Sequence, residues 1–285
     1  MNRRLSVWLE QLSLPAELLL LDRTREWHDD IAYPFALDEL LCRKVGQGMT
    51  PVLHMWRHPQ ALVLGLRDSR LPGAVRAMRE LEEQGCRTVV RNSGGAAVPL
   101  DPGVLNVTLV LPKPPGGIGS PGDFRGDFEL MYRIVGAALE TAGAQVDKGE
   151  IAGSYCPGDY DISIGGRKFC GLAQRRQLNA YAVQAFIVAE GSGAERGERA
   201  RAFYRTAAEG AAAEQYPLVE PERMASVSEL LAPITAEQLA GRIAGALRDA
   251  GVTLRPAASG DLPDAADVAA MAAALRARYA PPRAE

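Results

Sequence analysis

The spacing of apolar residues changes repeatedly along the chain, and each change marks an element. Leu18 to Leu21 is a short apolar run, read as an edge strand on an N-terminal arm over 1–34. From Pro34 to Val45 apolar residues fall at 37, 40, 41 and 45, a helical spacing, and Pro34 suits the first turn. Pro51 to Trp56 and Ala61 to Leu66 are apolar runs separated by Arg57-His58-Pro59-Gln60, which predicts a hairpin. Ala74 to Gln84 reads as a charged helix stopped by Gly85. Arg87 to Arg91 and Val107 to Leu111 read as strands. Pro112 to Gly122, rich in Pro and Gly, predicts an exposed loop. Phe124 to Ala142 is a helix turning Leu130, Ile134, Val135 and Leu139 inwards. Tyr160 to Ile164 and Arg167 to Leu172 are strands around Gly165-Gly166, a two-residue hairpin turn. Tyr181 to Ala189 is a buried strand. Beyond Gly191 the texture shifts to Ala, Arg and Glu, predicting helices over 194–208, 235–250 and 265–279. Thr235 and Gln238 have capping-box spacing.

Strands joined mainly by hairpins predict an α/β unit with a largely antiparallel central sheet flanked by helices, followed by a helical C-terminal end. Composition agrees: 47% of the 285 residues are hydrophobic and 24% charged, enough for a real core. The net charge of -3, with both signs dispersed, lacks the basic stripe of a nucleic-acid binder. No run approaches the roughly 18 apolar residues of a membrane helix. Glu10, Pro15 and Glu17 interrupt the start, unlike a signal peptide, so a cytoplasmic protein is expected. The cysteines at 42, 86, 156 and 170 show no metal-ligand spacing and are expected as reduced thiols. Among three histidines, His54 and His58 share one segment and no third ligand stands near, so no metal is expected.

Cys156 draws the chemistry. Pro157 and Gly158 follow it at once, so it sits in a turn. The hairpin beyond brings Lys168 back towards it, and an ammonium near a thiol favours the thiolate. Free cysteines are more often packed core residues, so the local sequence leaves both readings open. Cys170 is a rival, because strand alternation puts Lys168, Cys170 and Leu172 on one face. Cys42 and Cys86 read as structural. The Ser93-Gly94-Gly95-Ala96-Ala97 stretch can bring backbone amides close to a ligand, or can simply turn the chain. Arg91 before it suits a carboxylate or a strand edge. Asp101 and Asn106 flank a turn and suit hydrogen bonds to their own backbone. Arg175-Arg176 reads as a surface pair, able to meet an acidic partner.

Two blocks carry a resemblance. Arg91-Asn-Ser-Gly-Gly-Ala-Ala-Val-Pro-Leu-Asp101 through Leu105-Asn106 resembles Arg-x-x-Gly-Gly-Gly-Ala-Val-x-His-Asp…Leu-Asn, a signature of the lipoate-protein ligase and octanoyltransferase superfamily. Gly166-Arg-Lys-Phe-Cys-Gly-Leu-Ala-Gln174 is similar to its Gly-x-Lys-x-x-Gly-x-x-Gln block. The superfamily domain is related to biotin protein ligases. Leu100 stands at the family histidine, which weakens ATP-dependent ligase chemistry. Cys170 stands where alanine is usual. Gly153-Ser-Tyr-Cys-Pro-Gly-Asp-Tyr-Asp-Ile-Ser163 is most similar to the octanoyl-[glycine-cleavage H protein]:protein N-octanoyltransferases.

The resemblance implies a biotin/lipoate ligase-like catalytic domain over 35–250, with a helical tail over 251–285. It implies Cys156 as nucleophile and Lys168 as a second catalytic residue, which lowers the thiol pKa and polarises the carbonyl, with Arg91, Gly94, Gly95 and Asn106 as substrate-binding residues. It implies no cofactor. The implied partners are the octanoylated glycine-cleavage H protein as donor and lipoyl domains of 2-oxoacid dehydrogenase E2 subunits as acceptors. The alternatives are an acyl carrier protein donor, an ATP-dependent lipoate ligase, or a non-catalytic lipoyl-domain binder.

Overall fold

The structure, a computed structural model, describes residues 14–113, 124–140 and 144–281. In chain order its elements are β1 (Glu17–Arg23), α1 (Ala32–Val45), β2 (Val52–Trp56), β3 (Ala61–Leu64), α2 (Ala74–Glu83), β4 (Arg87–Val90) and β5 (Val98–Leu100). There follow β6 (Val104–Pro112), α3 (Phe124–Glu140), β7 (Asp147–Lys148), β8 (Ile162–Ile164), β9 (Arg167–Arg176) and β10 (Ala180–Val188). The chain continues with α4 (Gly193–Ala207), α5 (Val227–Leu230), α6 (Ala236–Asp249), β11 (Thr253–Pro256) and α7 (Ala265–Tyr279). Most of the expected 112–122 loop, the start of the N-terminal arm and the last residues expected for α3 lie outside the described residues.

Eight described strands form one mixed sheet in the order β11-β1-β2-β6-β10-β9-β8-β7. β1 runs parallel to β11 and β2; the other pairings are antiparallel. The expected α/β architecture with a mainly antiparallel sheet is the one observed. Both faces are covered, so β6 is buried along nearly its whole length. Leu105, Val107, Leu109 and Leu111 face a core shared with α3 and α6, while Val104 and Val110 face one shared with α1 and α7. The Thr235–Gln238 capping box starts α6.

The expected hairpin of β2 and β3 does not form. Both edges of β2 are occupied, by β1 and β6. Buried Arg57 donates from Nε to the Thr24 carbonyl at 2.6 Å and from Nη1 to the Pro102 carbonyl at 2.9 Å, fixing the point where the chain leaves the large sheet. β3 instead forms the centre of a small sheet, β4-β3-β5. That sheet shares its core with α2 and α4. β1 is not an edge strand either, because β11 pairs along its outer side. The stretch 251–281 therefore adds a strand as well as a helix, and Val268, Ala272 and Leu275 of α7 are buried in the core of α1.

Candidate active site

Two loops meet where the small sheet packs on the large one. One follows β4 and carries Gly94 and Gly95; the other lies between β7 and β8 and carries Cys156. Cys156 has φ 49°, and among the described residues it is the one non-glycine residue with positive φ. The left-handed region is uncommon for a side chain with a Cβ, so neighbours must hold it there. The thiol is half-buried. Its Sγ accepts from the Ala96 amide at 3.0 Å and from Arg91 Nη2 at 3.3 Å. The cation at the sulfur is therefore Arg91.

The hairpin brings Lys168 back to Cys156, with its ammonium on the backbone around the thiol. Its side chain is fully buried, and Nζ donates to the carbonyls of Tyr155 at 2.9 Å and Cys156 at 2.6 Å. It also pairs with Asp161 Oδ1 at 2.8 Å. Gly165 and Gly166, with φ 58° and 75°, form the expected two-residue turn that starts β9. The pairing then slips: Ile162 faces Cys170 but Ser163 faces Lys168, so Phe169 is an extra residue. This bulge undoes the expected alternation. Cys170 and Phe169 join the core of α3 and α6, whereas a Cβ on Gly171 would lie 3.4 Å from Lys168 Cε. Burial pushes the Cys170 thiol up, and the Cys42 thiol up to about 12.

Arg91 is buried at the end of β4, with its guanidinium 4.9 Å above the Phe186 ring of β10. Nη2 also donates to the Ala96 carbonyl at 3.0 Å, while Nε and Nη1 have no hydrogen-bond partner among the described residues. Gly95 has φ 104°, and a Cβ there would stand 2.1 Å from Arg91 Nη2 and 2.8 Å from Cys156 Sγ. Only glycine fits between the two groups. Tyr204 of α4 steadies the same loop: its hydroxyl accepts from the Ala97 amide at 3.1 Å and donates to Asp68 at 2.9 Å. Burial holds the Tyr204 hydroxyl well above its usual range and also raises Asp68.

A narrow apolar cleft of about 10 Å³, partly open, lies beside Cys156. Val98, Tyr155, Leu172, Phe186, Val188 and Met224 form most of its wall, with Arg91 and Lys168. The glycine loop also borders a wide open groove of about 700 Å³, lined by Gly94, Arg67, Arg70, Pro157 and Tyr216. The structure thus brings Arg91, Gly95, Cys156 and Lys168 together. Gly94 faces the groove. Asn106 sits within β6, donates to the Trp56 carbonyl at 3.3 Å and lines neither space. It does not flank a turn, whereas Asp101 does accept from the Gly103 amide, at 2.9 Å. Arg175 and Arg176 are not a loose surface pair: Arg175 binds Glu39 through two bonds of 2.9 and 3.0 Å, and Arg176 binds Asp127. Sequence reasoning missed Asp161 and Tyr204. Asp161 stands in the quoted Gly-Asp-Tyr-Asp run, but Tyr204 gives no local signal.

The model of the lipoyl protein ligase A/B catalytic domain family matches residues 30–248. The chain belongs to that family. Among its relatives, an octanoyl-[GcvH]:protein N-octanoyltransferase of Anoxybacillus flavithermus is 44% identical over 230 residues, covering 80% of this chain and 82% of the relative. A protein of the same name from Geobacillus kaustophilus is 46% identical over 204 residues, covering 71% of each. A lipoate-protein ligase A crystallised with ATP aligns with TM-score 0.67 at 19% identity, over 93% of this chain and 96% of that one. A lipoate protein ligase of Thermoplasma acidophilum aligns with TM-score 0.65 at 18% identity, over 94% and 98%. At these identities the solved structures speak for the fold: the family's ligases and this chain share one architecture.

Proposed function

We propose that this protein moves an octanoyl group from the glycine-cleavage H protein to the acceptor lysine of lipoyl domains in 2-oxoacid dehydrogenase E2 subunits, through an acyl-thioester on Cys156. The observation that carries the reading is the Cys156 thiol itself: half-buried, on a left-handed turn, met by the Ala96 amide and Arg91, and bordering an apolar cleft. Two relatives at 44% and 46% identity carry names that state octanoyl-[GcvH] as donor, which supports the choice of donor.

In the first step the sulfur attacks the octanoyl amide carbonyl on the donor lysine. A C–S bond forms, the C–N bond breaks, and the thiol proton ends on the released amine. In the second step the acceptor lysine attacks the thioester, a new amide forms, and the sulfur leaves. The bond broken and the bond made are both lysine amides, so the exchange runs near equilibrium and needs no ATP. The alkyl chain enters where the apolar walls of the narrow cleft part to admit it, and burying its methylenes is worth about 0.8 kcal/mol each. The unpartnered Nε and Nη1 of Arg91 are donors for the carbonyl oxygen as it gains charge. Lys168 serves the turn that presents the thiol. Arg91 and Gly95 shape the donor side, Gly94 the groove by which a folded carrier domain approaches, and Asn106 the sheet beneath. A cytoplasmic setting keeps such a thiol reduced. Among the described residues no helix is long and apolar enough to cross a membrane.

The test offers octanoyl-H protein, octanoyl-acyl carrier protein, and free octanoate with ATP, each at equal concentration, to an apo lipoyl domain. The expected result is acceptor labelling from octanoyl-H protein without ATP, with an octanoyl mass increment on Cys156. Labelling from the ATP arm alone makes the protein a ligase. A much faster acyl carrier protein arm keeps the nucleophile and changes the donor.

A further inference from the structure

We infer that Asp161 is a positioning residue, which seats Lys168 so that one ammonium pins both peptide planes flanking Cys156 and holds the thiol in its left-handed conformation. The inference rests on the reading of Cys156 as nucleophile. The Tyr155 carbonyl belongs to the peptide plane that sets φ of Cys156, and the Cys156 carbonyl belongs to the plane that sets ψ. Lys168 Nζ binds these two oxygens at 2.9 and 2.6 Å, so both torsions are fixed from a single point. An unpaired ammonium could not remain in so buried a place. Asp161, itself 1% exposed, supplies the countercharge at 2.8 Å. Its other oxygen accepts from the Gly158 amide at 3.2 Å, two residues beyond the cysteine. Burial raises the Asp161 carboxyl and Lys168 opposes that rise, so each charge depends on the other.

The far side of the clamp is also fixed. Met224 bridges to Lys168, the Ala225 amide donates to the Lys168 carbonyl at 2.9 Å, and the Glu220 amide donates to the Gly153 carbonyl at 2.7 Å. The ammonium therefore acts on the backbone of the nucleophile, while Arg91 and the Ala96 amide act on its sulfur.

The test uses the full chain with Asp161→Asn and Lys168→Met together, which removes the clamp without leaving a lone buried charge. Two readouts are taken. Ala96 amide hydrogen exchange, measured without substrates, reports whether Sγ still receives that proton. The kcat and donor KM of octanoyl transfer separate placement of the sulfur from binding of the donor. The clamp predicts at least tenfold faster exchange at Ala96 and at least tenfold lower kcat, with the donor KM within twofold of wild type. Asp161→Glu, which keeps the charge but displaces the ammonium, should give intermediate values and serves if the double variant does not fold. Unchanged exchange, or an unchanged kcat, overturns the proposal. The exchange readout needs no acyl donor, so it judges the clamp even if wild type transfers no octanoyl group.

Discussion

Cys156 occupies a backbone region that glycine enters freely and other residues enter at a cost of roughly 1–2 kcal/mol. The two simplest substitutions should therefore differ. Cys156→Gly should be more stable than Cys156→Ala by about 1 kcal/mol, although both lack the thiol. Urea unfolding of the two variants measures the difference; equal stability would mean that the turn is not strained. At this scale the turn that carries Cys156 was legible, because Cys-Pro-Gly announces it. The partner at its sulfur was not. Arg91 is distant in sequence, and its approach depends on Gly95 having no side chain.

Glu39 shows what the elements do for the loop. It lies on α1, binds Arg175 of β9 through two hydrogen bonds, and accepts from Asn92, next to Ser93 of the glycine loop, at 2.8 Å. Burial works against its ionisation, yet the Arg175 pairing prevails and holds the carboxyl below its ordinary value of 4.5. Around that pH the unfolded chain binds more protons here than the folded one. The stabilisation is therefore complete above about pH 4.5 and is lost as the pH falls through the lower folded value. Glu39→Gln should be less stable than wild type at pH 7, with the gap narrowing between pH 5 and 3; denaturant midpoints across that range check it. Apolar spacing located α1 and α3 well, and the Ala, Arg and Glu texture located α4, α6 and α7, because each helix needs only its own residues. Pairing was harder to read. The β2 and β3 runs look like a hairpin until buried Arg57 is seen tying the turn to Thr24 and Pro102. The bulge at Phe169 likewise depends on β8, and a strand's own pattern does not record its neighbour's register.

Over the whole molecule, the C-terminal stretch completes the fold that holds the site. β11 pairs with β1, and α7 buries Val268 and Leu275 against the core of α1. Full burial of such side chains contributes about 1.5–3 kcal/mol each, against a typical total stability of 5–15 kcal/mol. Deleting residues 251–285 should therefore abolish the cooperative thermal transition followed by circular dichroism, rather than trim a dispensable end. A truncated chain that melts like wild type would separate α7 from the fold.

The distribution of the sulfurs has a practical consequence. Cys42, Cys86 and Cys170 are buried, and burial pushes all three thiols up; Cys156 alone is half-buried rather than buried. The native protein should therefore consume one equivalent of iodoacetamide at neutral pH and the denatured protein four, as counted by intact mass. That makes alkylation a count of folded chains: the fraction gaining one carbamidomethyl group reports the fraction that buries three sulfurs and leaves Cys156 reachable, independently of any carrier protein. Two or more groups on the native chain would show that a second sulfur is reachable.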